Sequence, residues 1–217
     1  MRALTVADFG RDQSFEEMQM LQERTHAKRV SGELEKDHLF LLEHRAVYTL
    51  GTSAEASHIL YPKEVLLAAG IECVKTSRGG DVTYHGPGQL VGYPIVHLGE
   101  AGLGVTEYVT ALEEVLISVA AVYGIVAGRD PRNRGVWVGN SKLGAIGIRV
   151  SRQVAMHGFA LNVNTRLEDY QGIVPCGLRD VGITSMRQLL GGSPLEMRDV
   201  KEHVIKAFKK TLGYKKK

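Results

Sequence analysis

Residues 106–124, "TEYVTALEEVLISVAAVYG", are followed almost at once by three β-rich runs, and this order limits the fold more than any other feature of the chain. Val109, Leu112, Leu116, Val119 and Val122 or Tyr123 recur at helical spacing, which predicts a helix with one apolar face. Thr106 is placed to cap it and Gly124 to end it. "GVWVG", "SKLGAIGIRV" and "VAMHGFALNVN" follow, separated by turns so short that antiparallel neighbours are the natural arrangement. A helix with one apolar stripe must bury it against another layer. The expected class is therefore α/β of the α+β kind, a mixed sheet flanked by helices.

The rest of the chain supplies more of both layers. Ser14 and Glu17 have capping-box spacing ahead of a helix carrying Phe15, Met18 and Leu21. "HLFLLEH", "AVYTLG" and "IECVKT" read as strands, "PKEVLLAAG" as a short helix, and residues 195–212 as a last helix with Val200, Val204, Ile205 and Phe208 inward. No repeat or Gly/Ser/Pro linker divides residues 1–217, so one domain is expected. The net charge of +3 is matched by the three terminal lysines, which leaves no basic stripe for nucleic acid. Two cysteines, Cys73 and Cys176, make neither a disulfide framework nor metal-ligand spacing, and no apolar segment suggests a leader or a membrane span. A reduced, cytoplasmic setting is the expectation, with Cys73 packed in its strand.

"SRGGDVTYHGPGQLVGYPI", residues 77–95, holds Gly79, Gly80, Gly86, Gly88 and Gly92 together with two prolines. Such glycines let backbone N–H groups approach a ligand, and Arg78 adds a fixed cationic fork; an ordinary loop between strands has the same composition. In "QGIVPCGLRD", Pro175 and Gly177 present Cys176 in turn chemistry, which suits a nucleophile and equally an incidental loop thiol. Lys142 reads as a turn residue between two strands. The small residues of "AIG" and "GFA" open space between strands for a ligand or for close packing. His85 and His157 are open to base, ligand or core hydrogen-bonding roles.

"RGGDVTYHGPGQLVGYP" resembles the signature of the octanoyltransferases, or lipoyl(octanoyl) transferases, and the similarity runs through "SKLGAIGIRV", "HGFALNV" and "VPCGL", from about residue 30 to about residue 190. Arg78, Gly79, Gly80, Thr83, Tyr84, His85, Gln89 and Tyr93 fall at the family's spacing; leucine follows "PCG" where isoleucine is common. The resemblance implies one α/β domain related to the catalytic domains of biotin and lipoate protein ligases. It implies transfer of an octanoyl or lipoyl group from an acyl carrier protein thioester to a lysine of lipoyl domains, the first step of endogenous lipoylation. Acceptors would be the lipoyl domains of 2-oxoacid dehydrogenase complexes and the glycine cleavage H protein.

By the same resemblance Cys176 is the nucleophile. Lys142 favours its thiolate and then takes a proton from the attacking amine. Arg78, Gly79, Gly80, Asp81, Val82, Thr83, Tyr84 and His85 would contact substrate. Ala145, Ile146 and Gly147 on one strand, and Gly158, Phe159 and Ala160 on the next, would do the same, with His157 orienting. No cofactor, metal or ATP is required, because the thioester is already activated. Three rivals remain at this stage: an ATP-dependent lipoate or biotin ligase, a cysteine hydrolase and a non-catalytic acyl carrier.

Overall fold

The computed structural model describes residues 2–174 and 181–214. The chain runs β1 (Leu4–Asp8), α1 (Phe15–Ser31), β2 (Asp37–Leu42), β3 (Val47–Leu50), α2 (Lys63–Ala68), β4 (Glu72–Lys75), β5 (Val82–His85), β6 (Gln89–His97), α3 (Leu98–Ala101) and α4 (Val105–Val122). It continues through β7 (Gly128–Asp130), β8 (Asn133–Val138), β9 (Ser141–Ser151), β10 (Val154–Asn162), β11 (Gly182–Ile183), α5 (Met186–Leu189) and α6 (Met197–Thr211).

The larger sheet has the order β1-β2-β6-β10-β9-β8-β7, with β11 beside β9. The β1–β2 and β9–β11 pairs are parallel; the β8–β9–β10 meander is antiparallel, as its short turns require. A smaller sheet, β4-β3-β5, stands apart. Helices α4 and α6 cover one face of the larger sheet, burying Leu112, Leu116, Val204 and Phe208 against Leu39, Leu41 and Leu161. Each such side chain contributes about 1.5–3 kcal/mol by leaving water. Phe40 and Leu42, which alternate with Leu39 and Leu41 along β2, face the other way and pack with Met18 of α1.

The long helix departs from its sequence reading at both ends. It starts at Val105, not after a Thr106 cap, because Glu107 reaches back and its carboxylate accepts the Gly104 N–H at 2.6 Å. Val122 is exposed, and the buried stripe runs instead through Tyr108, Leu112, Leu116 and Val119. Cys73 is exposed too, contrary to the expectation of a packed thiol. Its strand β4 is an edge that, among the described residues, pairs only with β3, and the small sheet's core comes from Tyr48, Val82, Tyr84 and their neighbours.

Helix α1 buries a polar face, Gln22, Thr25, His26 and Arg29, that its leading Phe15 and Met18 do not announce. The reason lies in β6. Pro94 has no N–H to give, and the β6–β10 ladder pairs residues 154–155 and 159–162 but skips 156–158. Gln22 Oε1 accepts the N–H of His157 at 2.9 Å, and His26 Nε2 donates to the Val154 carbonyl at 3.1 Å. Further along, Asp37, 1% exposed, accepts from Arg29 Nε at 3.1 Å, Arg2 Nη2 at 3.0 Å, the Tyr214 hydroxyl at 2.6 Å and the His97 N–H at 3.0 Å. That carboxylate ties α1, β6 and both ends of the described chain to the edge of the sheet.

Candidate active site

Strands β9 and β10, the 78–83 segment and the loop at residues 53–58 enclose a cavity of about 510 Å3. Gly79 joins the segment to the sheet by donating its N–H to the Ile148 carbonyl at 2.9 Å. Arg78, Gly79, Gly80, Asp81, Val82, Thr83 and His85 all line the cavity. So do Ala145, Ile146 and Gly147 on β9, and His157, Gly158, Phe159 and Ala160 on β10. Tyr84 does not. It alternates with Thr83 and His85 along β5 and points into the small sheet's core, where its hydroxyl donates to Asp169 Oδ2 at 2.7 Å.

Lys142 reaches the cavity through a fault in the β8–β9 register. Gly135 pairs with Ala145 and Val136 with Gly144; then the register steps by one, so that Trp137 pairs with Lys142 and Val138 with Ser141. Ile146, Ile148 and Val150 face α4, and strict alternation would send Lys142 there as well. The extra residue Leu143 takes that apolar face instead, and Lys142 turns to the opposite one. It is a strand residue and 5% exposed, not the solvated turn residue the sequence suggests. Gly135 leaves room for its stem: at φ +137° a Cβ there would lie 2.6 Å from Lys142 Cε and 2.5 Å from the Gly144 carbonyl oxygen. The buried carboxylate of Glu113 on α4 holds this point, accepting from the Gly135 N–H at 2.9 Å and from Arg129 Nε at 3.1 Å.

The cavity's other polar groups are largely committed to the protein. Arg78, 8% exposed, donates from Nε to Thr49 Oγ1 at 3.1 Å, from Nη2 to the Thr49 carbonyl at 2.6 Å and from Nη1 to the Gly79 carbonyl at 3.1 Å. It braces the glycine-rich segment against β3. His85 Nδ1 donates to Gln89 Oε1 at 2.7 Å, since the Gln89 amide nitrogen faces the Tyr84 carbonyl and Asn162 Oδ1. Burial, with His44, Arg78 and His157 nearby, pushes His85 down to about 3. Burial also lowers His157 to about 4, helped by Arg78, and His44 to about 4. All three rings are neutral at physiological pH. His44 donates through Nδ1 to the Gln13 carbonyl at 3.0 Å and accepts the Tyr93 hydroxyl at Nε2, 2.7 Å away. His157 sits at φ +59°, a strained position for a non-glycine residue, made by the interrupted ladder opposite Pro94.

Cys176 falls within residues 175–180, outside the described residues. Its flanks are described. Val174 donates its N–H to the His58 carbonyl at 2.8 Å, and His58 Nδ1 lies 2.5 Å from Asp81 Oδ2 at the cavity rim. On the far side Gly182 and Ile183 pair with Ser141 and Lys142. The sequence reading missed Phe15, His58, Asn133 and Arg134, which also line the cavity. Phe15 was read only as core, and nothing local marks the other three.

A mixed sheet with helices on both faces thus opens into a small-residue cavity beside a glycine-rich segment. The bi-partite lipoate protein ligase of Thermoplasma acidophilum superposes with a TM-score of 0.73 at 16% identity, covering 98% of this chain and 84% of that one. A biotin protein ligase from Aquifex aeolicus matches more loosely, with a TM-score of 0.53 at 12% identity over 98% and 69% of the two chains. The family model of the lipoyl protein ligase A/B catalytic domain matches residues 15–209. An octanoyltransferase of Caldicellulosiruptor saccharolyticus is 50% identical over 93% of this chain and 86% of its own, and one of Alkaliphilus metalliredigens is 44% identical over 97% and 96%. The chain belongs to the octanoyltransferase family, within the lipoyl protein ligase A/B catalytic domains. It is an acyltransferase of protein lipoylation. Among the described residues no helix is long and apolar enough to cross a membrane.

Proposed function

We propose that the protein moves an octanoyl group from an acyl carrier protein thioester to a lysine of a lipoyl domain through a thioester on Cys176. The observation that carries this reading is the placement of Lys142. A register fault, a glycine and a buried glutamate turn its amine into a cavity, and the described residues on either side of the cysteine segment touch residues that line it: Val174 donates to the His58 carbonyl, and Ile183 pairs with Lys142. In the first step the Cys176 sulfur forms a bond to the acyl carbon and the carrier sulfur leaves; the thiol proton passes through Lys142 to the departing carrier thiolate. In the second, the acceptor amine forms a C–N bond as the C–S bond to Cys176 breaks, and Lys142 carries an amine proton to the cysteine thiolate. Thioester exchange is near thermoneutral, and amide formation drives the sequence forward.

The neutral histidines and small residues suit an aliphatic chain, which gains about 25 cal/mol per Å2 of apolar surface removed from water. Arg78, the glycine-rich segment and the β9–β10 residues act as its walls, and backbone N–H groups among them are the proposed donors to the carbonyl oxygen. His85 and His157 orient the wall. Acceptors of this chemistry are lipoyl domains of 2-oxoacid dehydrogenases and the glycine cleavage H protein. A cytoplasmic location fits a donor of this kind. The test is intact-protein mass after mixing with octanoyl-loaded carrier and no ATP. One octanoyl adduct on Cys176, chased onto a lipoyl domain, is expected; transfer only from free octanoate with ATP would replace this reading with the ligase one. Cys176→Ala and Lys142→Ala should each abolish transfer while remaining folded.

A further inference from the structure

Lys142 Nζ donates to Asn133 Oδ1 at 2.5 Å, and the lysine is only 5% exposed. Asn133 is itself anchored, because its main-chain carbonyl accepts the Trp137 indole N–H at 3.2 Å. The Trp137 ring is 3% exposed, with Lys142 Nζ 5.3 Å and the Arg132 guanidinium 5.6 Å from its centroid. The first residue of β8, an indole and a lysine thus form one rigid unit across the register fault. We propose that Asn133 is the positioning residue for Lys142, its side-chain carbonyl holding the amine at a fixed point in the cavity. The inference rests on the reading of Lys142 as the proton-transfer group.

The side-chain type is informative. An amide carbonyl accepts from an ammonium and, less strongly, from a neutral amine, so it aligns Lys142 in both protonation states that a transfer cycle needs. A carboxylate in the same place would hold the proton, as an opposite charge in contact does. Other charged groups facing this corner, among the described residues, are Arg132 and Arg134 beside Asn133, Asp130 at the end of β7, and Glu113 on α4. Asp130 is engaged with Arg132 at 2.6 Å and Glu113 with Arg129 at 3.1 Å.

The experiment compares the parent enzyme with Asn133→Leu, Asn133→Asp and Lys142→Ala, following octanoyl transfer from loaded carrier to a lipoyl domain across neutral and alkaline pH. Removing the Asn133 acceptor in Asn133→Leu should lower kcat by about 10–100-fold, with KM and melting temperature little changed, because an amine misplaced by about 1 Å loses rate on that order. Asn133→Asp is isosteric and keeps the test informative if the leucine variant folds poorly. It should move the pH–rate limb that reports Lys142 to higher pH by about one unit or more. If both Asn133 variants match the parent in kcat and pH profile while Lys142→Ala is inactive, Asn133 is a bystander and this inference alone falls. If Lys142→Ala transfers normally, the proton-transfer reading falls and takes the inference with it.

Discussion

Replacing Gly135 by alanine tests whether the β8–β9 register fault holds Lys142. The backbone at Gly135 has φ +137°, where an L side chain costs about 1–3 kcal/mol. An added Cβ would also lie 2.5 Å from the Gly144 carbonyl oxygen, a backbone atom that can move only by shifting β9. Overpacking against that atom adds about 1–3 kcal/mol, so the two effects together come to about 2–6 kcal/mol, and at roughly 2–4 °C per kcal/mol for a chain of this size the melting temperature should fall by on the order of 10 °C. The same Cβ would lie 2.6 Å from Lys142 Cε, so the amine moves even when the fold survives. A displacement near 1 Å lowers the transfer rate about 100-fold. Gly139→Ala is the control: it lies at φ +57° near the same hairpin with no atom within 4 Å of its added Cβ. It should lose about 1 kcal/mol and keep the parent rate. Thermal unfolding and steady-state transfer, both well below the lower melting point, give the two readouts. Equal stability and equal rates for the two variants would refute the claim that this glycine makes space for the lysine.

Two further outcomes follow from the buried polar groups. Asp37→Ala removes the acceptor shared by Arg2, Arg29, Tyr214 and the His97 N–H, and should cost about 3–5 kcal/mol in urea unfolding; a loss under about 1 kcal/mol would show that the network is dispensable. His44, His85 and His157 are held down to about 4, 3 and 4 in the folded protein, against an ordinary value near 6.5. As pH falls below about 6.5 the unfolded chain takes up protons that the folded one refuses, so their contribution, complete at higher pH, is lost progressively toward pH 4. Unfolding free energies from urea titrations between pH 6.5 and 5 should therefore decline, by up to about 1.4 kcal/mol per pH unit for each histidine, with the midpoints falling accordingly. A flat midpoint over that range would mean that the rings are protonated or solvated in the native state.

The helices and the meander were legible because their signals are local: Leu112, Leu116 and Val119 repeat at helical spacing whatever they pack against. The glycine-rich segment and the two small-residue runs were legible as candidates, and the family resemblance drew them together. Tyr84 could have been separated from Thr83 and His85 by strand alternation alone. The register fault could not. "SKLGAIGIRV" reads as an uninterrupted strand, and nothing within it says that Leu143 is the extra residue that turns Lys142 around. Nor does the sequence show that Gln22 answers a hydrogen bond lost to Pro94, since the two are brought together only by the layer packing. Asn133 and Glu113 belong to the same class. Their roles are set by partners on other elements, and single-chain periodicity carries no information about those.

The clasp at Asp37 has a consequence for how the molecule comes into being. Arg2 and Tyr214, hydrogen-bonded to each other, are separated by 212 positions. On the ribosome, β1, α1 and β2 emerge first, with Asp37 and both of its arginines already made. The tyrosine that completes the clasp, and α6 that covers the apolar face of β2, are made after every strand. The nascent sheet must therefore wait with the part of this face that α4 does not cover left bare, at the mercy of chaperones and proteases, until synthesis has passed residue 214. A truncation that spares every cavity-lining residue but removes Tyr214 would then act at birth, lowering the yield of folded enzyme before it touched the rate of any molecule that did fold.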